Sequence, residues 1–103
     1  MKYNKLVRDR IPEILKSKGI KSSIHTAAYK EYSTLLSLKL KEEVDEFLKR
    51  EEVGELADLL EVIYAISELR GISEDNLEKL RENKAKERGS FKNRIILDET
   101  DEK

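Results

Sequence analysis

Apolar residues recur at helical spacing through most of this chain. Over residues 29–49, Leu36, Leu40, Val44, Phe47 and Leu48 define one stripe, the pattern of a helix with a single buried face. A second helical run over 52–70 is more apolar still. Leu56, Leu59, Leu60, Val62, Ile63, Ala65, Ile66 and Leu69 cover most of its circumference, which predicts the central helix of the fold. Residues 49–51 leave room only for a tight turn, so the two runs form an antiparallel helical hairpin. Shorter helices are expected on either side. One spans about residues 10–18, with Asp9 as N-cap, Pro12 in the first turn and Gly19 as the stop. The other spans about 74–87, opened by Ser73 and the acids behind it and closed at 88–90. The alternation of Ile20, Ser22 and Ile24 predicts a short extended segment within 20–27, paired with a second one over 94–97. These elements make an all-α helical bundle of about four helices with two short extended segments, in one domain over residues 1–103. The acidic tail, 98–103, is expected to fray.

Composition removes several functions. Charged residues make up 42% of the chain, but Lys plus Arg (21) nearly balances Asp plus Glu (22). Bulk charge therefore gives no reason to expect a nucleic-acid partner or an anionic membrane surface. No apolar run approaches the ~18 residues of a membrane span, and the opening residues lack a signal-peptide pattern, so a soluble cytoplasmic protein is expected. The absence of Cys excludes disulfides, zinc thiolate sites and cysteine nucleophiles together. The single His25 lies in the connector before the first long helix and reads as a connector residue rather than a ligand.

Local charge is more informative than net charge. Glu43 and Glu46 are i, i+3 neighbours on the first long helix, and Glu55 and Asp58 are i, i+3 neighbours on the second. Such pairs share a face with Cβ atoms ~5 to 6 Å apart. About a turn at residues 50 and 51, Glu43 lies level with Asp58 and Glu46 with Glu55, so four carboxylates converge on one patch. An isolated Glu-x-x-Glu in a Glu-rich chain is usually a solvated helix face. Here the second pair sits on the most apolar helix, which carries no Lys or Arg from Val53 to Leu69 and so offers its own acids no i, i+4 salt bridge. Clustered carboxylates repel and need cations. A hard divalent ion bound by oxygen answers that need, and the donor set suits Mg²⁺, or Mn²⁺, rather than Zn²⁺. Mg²⁺ held by carboxylates keeps open positions for phosphate oxygens. Basic groups able to meet the rest of a phosphate charge stand at Lys84 and Arg88, with Arg81 one turn earlier, and at Lys5, Arg8 and Arg10 near the start. Together with the acids they favour a phosphate-ester substrate.

The acids also carry a resemblance. Glu42-Glu43-Val44-Asp45-Glu46 followed by Glu55-Leu56-Ala57-Asp58 resembles the E-E-x-x-E and E-x-x-D motif of the MazG-like, all-α nucleoside triphosphate pyrophosphohydrolases. The opening Tyr3-Asn4-Lys5-Leu6-Val7-Arg8-Asp9-Arg10-Ile11-Pro12 and the late Lys86-Glu87-Arg88-Gly89-Ser90-Phe91 are similar to its phosphoribosyl-ATP pyrophosphohydrolase-like branch. The resemblance implies metal ligands at Glu43, Glu46, Glu55 and Asp58 and phosphate contacts from Lys84 and Arg88. Glu42, beside the first ligand, is the candidate for orienting a water, and Arg81, Arg8 and Lys5 are further candidates for meeting phosphate charge. The resemblance also implies Mg²⁺-dependent hydrolysis of a nucleoside triphosphate to monophosphate and pyrophosphate, as in nucleotide-pool housecleaning, by a homodimer or homotetramer. Phosphoribosyl-ATP hydrolysis in histidine biosynthesis and a non-catalytic, metal-stabilised interaction module are the alternatives. One departure stands out: only eight residues separate Glu46 from Glu55, fewer than in many relatives, which tightens the hairpin.

Overall fold

The structure, a computed structural model, describes residues 2–101. It contains four helices, α1 Ile11–Ser17, α2 Tyr29–Arg50, α3 Val53–Leu69 and α4 Glu74–Arg88. There is no strand among the described residues. The fold class is therefore all-α, but residues 20–27 and 94–97 are irregular and form no ladder with one another. Two short isolated segments gain too little from pairing to offset their ordering cost, and here neither is backed by a sheet.

The long hairpin organises the molecule. α2 continues through Lys49 and Arg50, one residue beyond the expected end, because Glu51 itself turns the chain in the left-handed region (φ 53°, ψ 33°). Glu52 is extended (φ −93°, ψ 144°), and α3 begins at the next residue. The connection is thus Glu51 and Glu52 alone. Against α3 pack both α2, along the hairpin, and α4, so the most apolar helix is the central one. Leu36 of α2 and Val62 of α3 are the buried hydrophobic residues among those described, at 2% and 8% exposure.

Both short helices show how caps decide boundaries. Asp9 is not the N-cap of α1. Arg10 occupies that position with near-helical backbone angles (φ −92°, ψ 0°) and makes no side-chain cap bond; its guanidinium instead reaches Glu13 at 3.2 Å. A capping side chain needs extended backbone to turn back on the first turn, and that geometry is missing here. At α4 it is present: Ser73 is extended, and its Oγ accepts from the Asn76 N–H at 3.2 Å. Between α3 and α4, Gly71 sits at φ 80°, where a Cβ would be strained. Of the acidic tail, residues 98–101 are irregular, and 102–103 lie outside the described residues. No helix among the described residues is long and apolar enough to cross a membrane.

Candidate functional site

The hairpin brings acids from both of its arms to one place. Glu43 of α2 and Glu55 and Asp58 of α3 each offer a carboxylate oxygen, and these oxygens all lie within 4.8 Å of one another. Glu43 and Glu55 are largely sheltered, each with a side chain only 13% exposed, whereas Asp58 opens to solvent. Periodicity accounts for this: on α3, Glu55 and Asp58 flank the direction of buried Val62, and on α2, Glu43 flanks that of Leu36. Glu46 stands beside the group, near enough for its charge to act on Glu55, but its own carboxylate is turned to Arg50 Nε at 3.4 Å.

Every acid of the group has a cation beside it, and none of those cations comes from α3. Lys39 Nζ lies 3.4 Å from Glu43, Arg50 Nη1 lies 3.7 Å from Glu55, and Arg8 Nη2 lies 2.7 Å from Asp58. Sequence reasoning missed Lys39 and Arg50. Their signal was available, since Lys39 precedes Glu43 by one helical turn and Arg50 follows Glu46 by one, both at i, i+4 spacing. The balance is incomplete at Glu55. Burial first, and then the charges of Asp58, Glu46 and Glu43, hold its carboxyl above the ordinary value against the opposing pull of Arg50.

These residues fit a small divalent cation. An octahedral ion with oxygen ligands at ~2.1 Å sets adjacent ligands ~3.0 Å apart, so three oxygens within 4.8 Å of one another would each have to close in by about 1 Å to share one.

Beside the acids runs a cleft of ≈ 540 Å³, within the range of small-molecule sites. Its walls are the N-terminal segment, with Arg8, Arg10 and Ile11; α2, with Tyr32, Lys39 and Glu43; and α3, with Asp58, Glu61 and Tyr64. The remaining candidates fall in two groups. Glu42 and Lys5 are close by and bound to each other at 3.3 Å, with Lys39 Nζ 3.5 Å from the second oxygen of Glu42. Partial burial pushes the Glu42 carboxyl up, but Lys39 and Lys5 outweigh it and bring it below its ordinary value. Lys5 also lies 5.9 Å from the centre of the Tyr3 ring. On α4, by contrast, Arg81 is engaged by Glu78, and Lys84 and Arg88 are exposed and outside the walls of the cleft. A single chain thus assembles the acids, Arg8 and Lys5, and leaves the α4 cations outside. No protein-family model, no curated protein and no solved structure matches the chain.

Proposed function

We propose that this chain is a Mg²⁺-dependent hydrolase, active also with Mn²⁺, that converts a nucleoside triphosphate to its monophosphate and pyrophosphate. The observation that carries the reading is the convergence of Glu43, Glu55 and Asp58 beside a cleft lined by Glu43, Asp58 and Arg8. The resemblance of the same acids to the MazG-like motif supports it, and points to a homodimer or homotetramer as the working form. Glu43, Glu55 and Asp58 would hold the ion, with Glu46 joining them by leaving Arg50. When bound, such an ion supplies charge neutralisation at phosphate oxygens and a more acidic water.

The chain's own side chains do the rest. Arg8 changes partner from Asp58 to a phosphate oxygen, where a guanidinium can donate two hydrogen bonds at once. Lys5 adds a second positive charge on the same side. Glu42, kept ionised by its two lysines, orients a water by accepting its hydrogen bond. Water adds to the α-phosphorus, the bond to the bridging oxygen breaks, and pyrophosphate departs. Lys84, Arg88 and Arg81 serve the leaving phosphates if a neighbouring copy presents its α4. In such reactions positioning and neutralisation supply most of the acceleration.

The test is to incubate the purified protein with canonical, deoxy and modified nucleoside triphosphates and Mg²⁺ or Mn²⁺, reading pyrophosphate against orthophosphate. Pyrophosphate release with a base preference is the expected result. Release of orthophosphate alone would assign a different bond. No release, with activity on phosphoribosyl-ATP, would transfer the site to that substrate. Silence on all of them, with the metal still raising the melting temperature, would leave the acids a structural staple.

A further inference from the structure

The cleft beside the acids continues well past them. On α3, Asp58, Glu61, Ala65 and Glu68 recur at helical spacing along its wall, and Glu43, Lys39, Leu36 and Tyr32 do the same on α2. At 1.5 Å per residue, Tyr64 stands ~9 Å along α3 from Asp58, and Glu68 ~15 Å. The antiparallel register that sets Glu43 level with Asp58 sets Tyr32 level with the turn that carries Glu68. We propose, on the assignment of the acids to nucleotide hydrolysis, that this far half of the cleft holds the base of the nucleotide against Tyr64, and that Glu68 selects bases carrying an exocyclic amino group.

The two halves of the cleft differ in chemistry. Near the acids the cations are gathered: Arg8 pairs with Asp58, and Lys39 with Glu42 and Glu43. Further along, the walls are Leu36 and Val62, the buried hydrophobic residues of the two arms, with Ala65 and a partly buried tyrosine from each arm. An apolar surface edged by aromatic rings suits a planar heterocycle. It does not suit a phosphate. Glu61, Glu68 and Glu74 add negative charge along these walls, and the guanidinium of Arg10, also on them, is held by Glu13. These charges orient the nucleotide, with its phosphates at Arg8 and its base toward Glu68.

The span fits one nucleotide. With the α-phosphate level with Asp58, the sugar falls level with Glu61 and the base level with Tyr64. Side chains on a helix lean toward its N-terminus, so the Glu68 carboxylate reaches back toward Tyr64, where the outer edge of the ring lies. That carboxylate has no hydrogen bond or ion pair among the described residues. A carboxylate only accepts. It takes an N–H from the amino group of cytosine or adenine, and repels the carbonyl oxygen that uracil or hypoxanthine places at the same position. The Tyr32 hydroxyl, across the cleft, can donate or accept and so fixes no preference of its own.

Two matched pairs of substrates isolate that one group: CTP against UTP, and ATP against ITP. With Mg²⁺, kcat/KM for pyrophosphate release should favour the amino member of each pair by on the order of tenfold or more, the worth of a hydrogen bond to a charged acceptor. Glu68→Gln, whose amide can donate as well as accept, should narrow both ratios. Tyr64→Ala should raise KM for all four substrates, and Tyr64→Phe, which keeps the ring, should restore it. Equal rates within both pairs overturn the proposal, and so does a folded Glu68→Gln variant with both ratios unchanged. Calorimetric titration of the wild type with CMP, UMP, AMP and IMP separates base recognition from hydrolysis. Tighter binding of CMP and AMP without pyrophosphate release from any triphosphate keeps the base site and removes the catalytic reading. Pyrophosphate release without discrimination in either measurement does the reverse, and neither binding nor release removes both.

Discussion

Arg8 Nη2 lies 2.7 Å from Asp58 Oδ1, joining the N-terminal segment to α3 across fifty positions of sequence. The pair is half exposed, so its contribution to stability is ~0–1 kcal/mol. Its electrostatic effect on the site is larger, because Arg8 competes with any cation that would use Asp58. Arg8→Ala should therefore tighten Mn²⁺ binding, on the order of tenfold, or ~1.4 kcal/mol, while slowing nucleotide hydrolysis. Calorimetric titration of Mn²⁺ checks the first half. Weaker Mn²⁺ binding in the variant would show that Arg8 organises the acids rather than competing for them.

The acids should fail together. Glu43→Gln and Asp58→Asn preserve shape and remove charge, so each should abolish turnover while the helical spectrum stays unchanged. In the wild type, Mg²⁺ at a hundred times its dissociation constant should stabilise the fold by about 2.7 kcal/mol. The combined variant should lose that gain. Activity retained in both single variants would remove these residues from the mechanism, and a metal-induced rise in melting temperature that survives the combination would place the ion elsewhere.

Glu55 carries a pH signature with a definite sign. Its carboxyl titrates above the ordinary value of 4.5 in the folded protein. Between that value and its raised one, the native state holds a proton that the unfolded state has released. Stability from this group therefore falls as pH rises through the window and stays lower at neutral pH. Glu42 runs the other way: its carboxyl is lowered, and its contribution is lost as pH falls below the ordinary range. Glu55→Gln should accordingly melt at a higher temperature than the wild type in metal-free buffer at neutral pH, with the difference closing as both proteins are acidified below about 4.5. A variant less stable than wild type at neutral pH would mean that Arg50 compensates Glu55 in full.

Most of the hairpin was legible because its determinants are local. The apolar spacing of Leu36, Leu40 and Phe47 specifies one helix, and the continuous apolar cover of the next specifies the other. The acid register follows from their antiparallel pairing. The cation partners were harder. Lys39 and Arg50 lie on α2 at i, i+4 spacing from Glu43 and Glu46, and Arg50 also reaches Glu55 across the turn, so attention to α3 alone overlooks them. Arg8 reaches Asp58 through tertiary packing of an irregular segment, which no spacing rule encodes. The extended segments failed for a related reason. Ile20, Ser22 and Ile24 alternate as a strand would, but alternation becomes a strand only when a partner edge is held in place, and none is.

Ser67 was not singled out by its sequence, yet it is the buried polar residue among those described, at 7% exposure. Its Oγ donates to the Ile72 carbonyl at 2.8 Å, and its own carbonyl accepts from the Ile72 N–H at 2.9 Å. One residue thus ties both backbone groups of Ile72 to the last turn of α3 and sets the direction in which α4 leaves. Ser67→Ala would strand the Ile72 carbonyl at a cost of ~1–3 kcal/mol. Ser73→Ala, which removes the exposed α4 cap a few residues later, should cost ~1 kcal/mol. Denaturant unfolding of the two variants checks the order. If the Ser67 variant proves the milder, water reaches that carbonyl, and the turn between α3 and α4 is held by its backbone and Gly71 rather than by the serine.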